Sequence, residues 1–593
     1  MIEKMKKYSF VLYHLDYRDF LAKLQNLGMV HIIRSSNEQS ETLKRNRELI
    51  GDYAECIKFL QKHSENSEKS HTNLPAKALL NQINKARSEK ESLTRTKDGY
   101  LKQIKDLQPW GHFDYDLVQK LKAAGIFIDF HHCLKNHFKA EWEEQYPIIK
   151  VAERSGSLYF AVLYTGDHPA LEADTFSFHQ HTLQEFETKL KEVEDQLADI
   201  ESYFANIAKT AIDLFQAEIA RLTTEYDFED ATLQGTPEAD NHVVVLSGWI
   251  PISREEALMS FVKAENVIHF VSDARVEDNP PIRLRNNWFS RLFEPITRMY
   301  MLPKYNEFDL TPFFAPFFML FFGFCNADMA YGVVLVLLTL FLRAKMKDPT
   351  VKGFLTLVTL FGVSSIIMGW VMGTILGYDM KEIPVIGQQI LIRNTDQIFN
   401  FGLLLGVIQI LFGIGIAAAK KMSQAGFING LSSIGALLFV GTLSVLGAQQ
   451  LGTDISAIQA YLKYPMWAGL ALILLFNQPG KNPIINILGG LWVLYNMITG
   501  FFGDILSYIR LFALGVSSAI LGFVINSIGS QMLGIPIAGP VIFVLFMIFG
   551  HALNLALGGL SGFVHPLRLT FVEFFKNAEF EGPGMEYKPL SKS

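Results

Sequence analysis

Arg510 is the one basic residue in the largely apolar run Gly-Asp-Ile-Leu-Ser-Tyr-Ile-Arg-Leu-Phe-Ala-Leu-Gly, residues 503–515. A charge at the centre of a bilayer costs roughly 2.5–3.5 kcal/mol on insertion scales, and about 10–17 kcal/mol in simulations of an isolated helix. Because no acidic residue lies three or four positions away, the charge is not neutralised along its own helix. A guanidinium kept in such a place predicts a functional site.

Other polar residues lie along the same predicted helix, 496–526, and along the next one, 538–575. Asp504 and Ser507 precede Arg510, and Ser517, Ser518 and Asn526 follow it. Consecutive spans run in opposite directions, so polar groups approach the arginines from both faces of the membrane. We predict two offset aqueous half-channels, with hydrogen bonds between helices as the alternative role of the later serines and Asn526. The candidates on the second helix are His551, Asn554, Ser561, His565, Arg568 and Glu573.

The carboxyl-terminal half has the composition of a polytopic α-helical membrane domain. The loops predicted on the inner side carry seven basic residues, namely Arg343, Lys345, Lys347, Lys352, Lys420, Lys421 and Lys481, against Lys381, Arg393 and Lys463 outside. This excess predicts that both ends of the chain lie in the cytoplasm of a cell-membrane protein. A further interfacial helix is possible over 484–502. The eight candidate spans are 312–325, 329–344, 353–376, 397–419, 427–449, 464–478, 496–526 and 538–575, the last two long and tilted.

Residues 1–305 are rich in charge and predict a cytoplasmic α/β domain with long coiled-coil arms over 38–107 and 181–225. One seam runs from Leu79 to Leu107 with Lys90 and Lys97 as polar interruptions, and a cleaner one runs from Leu183 to Ile207. The arms flank a β-rich block and are expected to pack antiparallel. Strands are predicted over 7–12 and 29–33, and a strand of a second α/β unit over 242–251. The membrane domain then covers 306–580, and a cytoplasmic tail 581–593.

Several classes of function are disfavoured by composition. The formal charge of −6 argues against nucleic acid as a partner. The three cysteines are far apart, so neither a disulfide framework nor a zinc cluster is indicated. The histidines His131, His132, His137, His179 and His181, with Asp129 and Cys133 beside the first group, match no usual spacing of paired metal ligands. The start of the chain lacks the pattern of a signal peptide. No cofactor is predicted, and no phosphate-binding Gly-x-x-x-x-Gly-Lys-Ser/Thr loop occurs.

Four segments together resemble one family, the membrane stator subunit of vacuolar/archaeal-type rotary ATPases, called subunit a or, in bacteria, subunit I. The similar segments are Pro-Lys-Tyr-Asn-Glu-Phe-Asp-Leu-Thr-Pro-Phe at 303–313, Asp-Ile-Leu-Ser-Tyr-Ile-Arg-Leu at 504–511, the last helix from Gly550 to Phe575, and the tail from Phe580 to Leu590. The layout of a stalk followed by spans also fits, so the likeness extends over essentially the whole chain.

The resemblance implies a non-catalytic subunit that translocates H⁺ or Na⁺ while a separate head hydrolyses or makes ATP. Arg510 then corresponds to the family's essential arginine and Arg568 to a supporting one. The implied partners are a proteolipid rotor ring carrying one carboxylate per ion site, peripheral stalk subunits, a central stalk, the soluble ATPase head and the lipid bilayer. Neither the ion nor the direction of the reaction follows from these residues.

The chain departs from the family pattern at three places. The family often has Gly-Asp-x-Gly-Tyr-Gly where residues 327–332 are Ala-Asp-Met-Ala-Tyr-Gly, and eukaryotic members place Glu at Gly558 and His at Ser518. The resemblance therefore supports the family's roles for individual channel residues less strongly than it supports the role of Arg510. Two other classes stay open: a self-contained secondary transporter, which would need a central substrate site, and a coiled-coil membrane tether, which would not need two intramembrane arginines.

Overall fold

The computed structural model describes residues 1–34, 40–63, 74–111, 115–154, 156–166, 168–169, 171–176, 183–380, 390–450, 456–478, 482–534 and 538–592. The chain divides into two compact units. Unit one comprises Met1–Tyr17, Met29–Ile33 and Thr236–Pro589, and unit two comprises Arg18–Gly28, Arg34–Gly235 and Leu590–Ser593. These units do not follow the predicted domain bounds of 1–305, 306–580 and 581–593, which stay predictions.

The strands are short, and those in the charge-rich half form two antiparallel sheets. In chain order they are β1 (Met5–Tyr13), β2 (His31–Ile32), β3 (Phe127–Leu134), β4 (Ile148–Arg154), β5 (Ser157–Tyr164), β6 (Asp174–Phe176), β7 (Thr236–Glu238), β8 (Val243–Pro251), β9 (Ile268–Asp273), β10 (Thr374–Ile375) and β11 (Tyr378–Asp379).

Helices dominate the rest of the chain. The first eight are α1 (Tyr17–Leu27), α2 (Glu41–Gln61), α3 (Ala76–Leu107), α4 (Tyr115–Ala123), α5 (Glu141–Gln145), α6 (Leu183–Thr232), α7 (Glu255–Ala264) and α8 (Trp288–Tyr300). The apolar half adds α9 (Thr311–Cys325), α10 (Met329–Lys345), α11 (Pro349–Met372), α12 (Thr395–Ala425), α13 (Phe427–Gln450), α14 (Ser456–Leu475), α15 (Pro483–Met532), α16 (Gly539–Arg568), a π-helical segment (Leu569–Phe574) and α17 (Phe575–Asn577).

The sheet of unit one has the order β2-β8-β1-β9, with β7 on the free edge of β8. Tyr8, Phe10 and Leu12 alternate along β1 and are buried, as expected for a strand with one face on a core. Because β8 pairs with β1 along its whole length, the segment predicted as a second α/β unit belongs to the same lobe as the first strands. That prediction was wrong, since strand pairing across more than 200 residues leaves no local signal.

The sheet of unit two has the order β4-β5-β3-β6. Its core is built from Trp142, Phe160 and Val162, with Cys133 beside them. This sheet is the main part of the β-rich block predicted between the two arms. The pairing of β4 with β5 is irregular between Lys150 and Ala152, where a β-bulge shifts the register by one residue.

Helices α2 and α3 pack on α6 through a shared apolar core in unit two. Lys90 pairs with Glu201 at 3.1 Å and Lys97 with Glu194 at 2.7 Å. As the residue number rises along α3 it falls along α6, so the two helices run antiparallel at these pairs. The two lysines that interrupt the predicted seam thus face acids on the opposing helix. The coiled coil itself stays a prediction.

The predicted histidine group lies in and near β3. His131 is buried and stacks on Phe160, while the neighbouring Asp129 pairs with His168 at 3.0 Å. His132 lies 4.0 Å from Asp174. In the part of the chain that the structure describes, no three His, Cys, Asp or Glu residues are placed to hold a metal ion. His179 and His181 lie outside the described residues.

Six of the described helices are long and apolar enough to cross a membrane, and the shorter helix α9 is also apolar. Each of the eight predicted spans overlaps a helix, although the span predicted over 353–376 runs past the end of α11 into β10. The number of helices that cross the bilayer stays a prediction. At 50 residues, α15 is about 75 Å long, far beyond the ~30 Å of a hydrocarbon core. The predicted interfacial helix over 484–502 is the first part of this continuous helix.

The segment after α17 folds back within unit one. Met585 and Tyr587 exchange backbone hydrogen bonds with Ile282, and Gly584 donates to Leu302. Within the predicted membrane domain, Glu307 and Lys420 form a buried ion pair of 2.8 Å. The Lys420 ammonium also donates to the Glu579 carbonyl. Burial alone would raise the pKa of Glu307, but hydrogen bonds from Lys420 and from three backbone N–H groups lower it overall.

We expect acid to destabilise the sheet of unit two through His131. Burial lowers the pKa of His131, an effect that Asp129 only partly offsets. The unfolded state therefore binds a proton at a higher pH than the folded state, and stability falls as pH drops below about 6.5. The protection factors of the β3 and β5 amides, which are corrected for the intrinsic pH dependence of hydrogen exchange, should fall between pH 7.5 and 5.5, and His131→Phe should weaken this fall. An unchanged pH dependence in His131→Phe would contradict the assignment, with His137→Phe as the control.

Lys420→Met should destabilise the subunit because it leaves the Glu307 carboxylate buried without its counter-charge. Breaking a buried ion pair costs about 3–5 kcal/mol, whereas an exposed pair is worth about 0–1 kcal/mol. Lys421, which pairs with Glu579 at 2.6 Å in a largely exposed position, provides the matched control Lys421→Met. Thermal unfolding in detergent should show a clear loss only for Lys420→Met, and equal losses in both variants would refute the special role of the buried pair.

Candidate functional site

The Arg510 side chain lies on α15 and is partly exposed. Its Nη1 atom is buried without a hydrogen-bond partner, and the guanidinium makes no ion pair with an Asp or Glu in the described part of the chain. Leu506, Leu521 and Val524, which lie within about 40° of Arg510 around the same helix, are exposed by 39–67%. The charge therefore lies beside an uncovered apolar surface, and the chain itself supplies no anion to pair with it.

Arg568 has a different environment. It is exposed at the end of α16, and its Nε lies 3.9 Å from Oε1 of Glu573, a residue that is 2% exposed. On a regular α-helix, residues five apart point about 140° away from each other. The π-helical segment Leu569–Phe574 widens the turn between them and brings both onto one side. The two predicted arginines are thus not equivalent, because only Arg568 has an acid beside it.

His565 and Ser561 lie on α16 before Arg568. Both arginine side chains act electrostatically on the His565 ring, so the three cationic or titratable groups lie near one another. Ser561 is one turn before His565, and both are partly exposed. On α15, Ser507 and Ser517 lie about one and two turns from Arg510 on its face and are not buried. The structure therefore places these predicted residues around the arginine level.

Asp504 is the centre of a cluster that we call the Asp504 group. Its Oδ1 accepts from the Lys576 ammonium at 2.7 Å, and its Oδ2 accepts from the Asn577 amide at 2.8 Å. Asn577 also donates to the carbonyl of Glu573 at 2.7 Å. These bonds fasten α15 to the end of the last helix. Both oxygens of Asp504 are thus hydrogen-bonded, and its role as a half-channel residue stays a prediction.

His551 is the centre of a second cluster, the His551 group. Its Nε2 lies 3.0 Å from Oδ1 of Asn526, and its Nδ1 lies 2.7 Å from the hydroxyl of Tyr331. Asn554 donates to the same hydroxyl at 2.9 Å and to the carbonyl of Ser518 at 3.2 Å. Because Asn526 offers an acceptor, Nε2 carries the proton and the Tyr331 hydroxyl donates to Nδ1. The side chains of His551, Asn526, Tyr331 and Asn554 thus all have hydrogen-bond partners, whereas Ser518 contributes only its backbone carbonyl.

A hairpin of β10 and β11 closes one side of the His551 group. The Leu376 carbonyl accepts from Asn526 at 2.6 Å, and the Gly377 N–H donates to Asp328 at 2.9 Å. Gly377 has a φ of +73°, and a Cβ there would lie 2.3 Å from the backbone of Gly522. Only glycine allows this approach. An open cavity of about 440 Å³ lies here, lined by the hairpin and by residues 515–523 of α15.

Close packing explains why Gly558 stands where eukaryotic members of the family have Glu. A Cβ at this position would lie 2.7 Å from Oδ1 of Asn326, a buried oxygen that has no hydrogen-bond partner among the described residues. The glutamate that eukaryotic relatives place here would therefore require Asn326 to move. Asn326 and the hydroxyl of Ser518 take up the space on this side of α16.

The two polar groups lie on opposite sides of Arg510 along α15. Asp504 precedes Arg510 by six residues, about 9 Å, and Asn526 follows it by sixteen, about 24 Å. Within the described residues no hydrogen bond joins one group directly to the other. Arg510 therefore lies between two separate polar regions, one near the carboxyl-terminal segment and the other near the hairpin.

Sequence reasoning missed Tyr331, Lys576, Asn577 and Asn326. Lys576 and Asn577 come just after the predicted end of the last span at 575, and nothing in the sequence pairs them with Asp504. Tyr331 was visible as a member of the Ala-Asp-Met-Ala-Tyr-Gly segment, and its position three residues after Asp328 was the available signal. Nothing in the sequence ties it to His551, which is 220 residues away.

Comparison with known proteins finds relatives among ATP synthase subunits. The chain is 25% identical to the V-type ATP synthase subunit I of Borreliella burgdorferi over the full length of both chains. It is 26% identical to the A-type ATP synthase subunit I of Methanocaldococcus jannaschii, over 58% of this chain and 54% of that one. A crystal structure of the cytoplasmic N-terminal domain of subunit I, homolog of subunit a, of V-ATPase matches 45% of this chain and all of that one, with 16% identity. Its TM-score of 0.21 is too low to support an argument about the fold.

A sequence model of one family matches residues 18–368, which is more than half of the chain. The matched region includes the arms, the lobe of unit two and the first apolar helices, while the arginine helices lie beyond it. The full-length relative from Borreliella burgdorferi extends the likeness over that remainder. The chain belongs to the V-type ATPase 116kDa subunit family.

Proposed function

We propose that this chain is the membrane stator subunit of a V/A-type rotary ATPase, in which Arg510 meets the ion-carrying carboxylates of a separate rotor ring. The observation that carries the proposal is the unpartnered guanidinium beside an uncovered apolar surface. A charge in that setting is too costly to keep without a use. The relatives named as subunit I of ATP synthases support a membrane role within such a complex.

The chemistry follows from the charge of Arg510. An opposite charge within about 4–6 Å lowers the pKa of a carboxylate by roughly 1–3 units. A rotor carboxylate arriving at Arg510 would release its ion and remain ionised until it moved past. Because a guanidinium stays charged and has a planar fork of donors, it also prevents ions from passing directly between the two sides. The chain translocates ions without being an enzyme itself.

The two polar groups are the proposed walls of the half-channels. One half-channel would run past the Asp504 group and Glu573, and the other past the His551 group and the cavity beside the hairpin. Ser507, Ser517, Ser561 and His565 lie between them, near the arginines. We propose that the carboxyl-terminal end is cytoplasmic, as the charge of the loops predicts, which makes the Asp504 side the cytoplasmic one.

The antiparallel helices of unit two suit the second task of a stator, which is to resist torque. We propose that this unit binds the peripheral stalk subunits, and that the lobe of unit one lies in the cytoplasm near the central stalk and the ATPase head. The secondary-transporter alternative requires a substrate site with partners inside one chain. Arg510 lacks such an intramolecular partner in the described residues, so no observation favours that alternative.

Arg510→Gln and Arg510→Lys should both abolish coupled transport while the complex still assembles. Glutamine removes the charge, and lysine keeps it but loses the planar fork. ATP-driven ion uptake into vesicles containing the purified complex measures the effect, with native mass spectrometry as the check on assembly. The exposed Arg343 at the end of α10 provides the control Arg343→Gln, which should transport normally. Full pumping by Arg510→Lys would contradict the geometric part of the proposal.

Arg568→Gln should slow transport without abolishing it. Arg568 already has Glu573 within 3.9 Å, so its charge is partly used inside the chain and is less available to a rotor. The same vesicle assay should give a rate between that of the wild type and that of Arg510→Gln. A rate equal to the wild type would make Arg568 a purely structural residue, and complete loss would make the two arginines equivalent.

A further inference from the structure

A short stretch of the carboxyl-terminal tail, residues 584–588, lies along the lobe of unit one, and we call it the tail clasp. The backbone N–H of Ile282 donates to the Met585 carbonyl at 2.6 Å, and the Ile282 carbonyl accepts from Tyr587 at 3.0 Å. Ile282 and Glu586 thereby form a parallel β-bridge. The tail clasp is thus bound to the lobe by backbone hydrogen bonds of the kind that join two strands.

The tail clasp also binds β2 and the backbone just before it. Nδ1 of His31 lies 3.0 Å from the backbone nitrogen of Lys588 and 2.9 Å from its carbonyl oxygen. The Tyr587 hydroxyl donates to the Met29 carbonyl, and burial raises the pKa of Tyr587, so the hydroxyl keeps its proton. The Tyr587 ring stacks on His31 at 6.1 Å and lies 6.0 Å from the Arg283 guanidinium. One aromatic side chain is therefore held from two parts of the lobe.

The position of the tail clasp along the chain gives these contacts a mechanical meaning. Residues 29–33 belong to unit one, and the chain continues from them into unit two at Arg34. At its other end the tail follows α17, and with it the last membrane helix α16. The tail clasp thus joins α16 to the segment from which the chain enters unit two. The covalent route from the lobe sheet to the membrane helices is a different one, through residues 274–310 into α9.

We propose that the tail clasp transmits force between the last membrane helix and the lobe, and that ATP hydrolysis stays coupled to transport only while the tail clasp is closed. The inference rests on the proposed function, because a stator has to resist torque. A rotor that pushes on α15 and α16 would turn them about a single attachment. A second attachment, remote from the first along the chain, opposes that rotation.

The charged contacts of the tail are secondary to its backbone bonds. Arg298 pairs with Glu586, and Lys304 pairs with Glu581 at 2.8 Å. These four side chains are 36–57% exposed, and exposed ion pairs add little stability. The tail clasp is therefore held mainly by the backbone bonds at Ile282 and by the contacts of the Tyr587 side chain and His31.

Gly584→Ala should open the tail clasp without shortening the chain. A Cβ at Gly584 would clash with the Pro303 carbonyl and lie 2.8 Å from the Ile282 side chain. Hydrogen exchange measured on the whole complex should then speed up at the amides that donate within the tail clasp, those of Ile282, Tyr587 and Lys588. The matched control is Gly99→Ala, because a Cβ at Gly99 would have no atom within 4 Å, and exchange at the tail clasp should not change.

Tyr587→Phe is the milder variant, since it keeps the ring and loses the hydrogen bond to Met29. Exchange at the tail clasp should speed up by about two- to tenfold, the effect of one lost hydrogen bond. Coupling is measured on the same complexes in vesicles, as ATP-driven ion uptake, followed with a pH-sensitive dye and with ²²Na⁺, divided by ATP hydrolysis. Gly584→Ala should lose most of its uptake per ATP while it still hydrolyses ATP, and Tyr587→Phe should lie between it and the wild type.

Unchanged exchange in Gly584→Ala would overturn the inference, and so would faster exchange with normal uptake per ATP. If Gly584→Ala does not assemble, Tyr587→Phe decides by the same two measurements. Arg510→Gln measured in parallel separates the two claims. If Arg510→Gln stops transport while an opened tail clasp leaves coupling intact, only the inference fails; if Arg510→Gln transports normally, the proposed function fails.

Discussion

The structure of the membrane half depends on one uncompensated charge. The Arg510 guanidinium is held on a helix of 50 residues, beside apolar side chains, with a buried nitrogen that the described chain leaves without a partner. Two buried carboxylates of this half are paired with lysines, Asp504 with Lys576 and Glu307 with Lys420. The Arg510 guanidinium has no such counter-charge within the described residues, which indicates that its partner lies outside the chain.

The Asp504 group and the His551 group explain how the helices around Arg510 are held in place. The Asp504 group ties α15 to the end of the last helix, and the His551 group ties it to α16, to Tyr331 and to the hairpin. Each is a set of hydrogen bonds in a low-dielectric region, where a satisfied polar network specifies one arrangement of its elements. Arg510 lies between these two hydrogen-bonded groups along α15. Its position is therefore fixed while its charge stays available.

Much of this could be predicted from local patterns. The long α6 begins at Leu183, where the predicted seam begins. Arg510 was identified because an isolated charge in an apolar run is a strong signal. What could not be predicted depends on pairing between distant residues. No local sequence pattern indicates that β8 pairs with β1 or that Tyr331 bonds to His551. The same holds for the acidic partners of Lys90 and Lys97. The π-helical turn that brings Arg568 to Glu573 was also invisible, because α-helical spacing separates residues five apart.

The most direct measurement is the distance between the Arg510 guanidinium and the nearest carboxylate in the purified complex, determined by electron cryomicroscopy of the membrane region. The account predicts that this carboxylate belongs to a different, ring-forming subunit and comes within about 4–6 Å of the guanidinium in at least one rotational state. A guanidinium that faces only lipid in every rotational state, or that pairs with an acid of its own chain, would contradict the account.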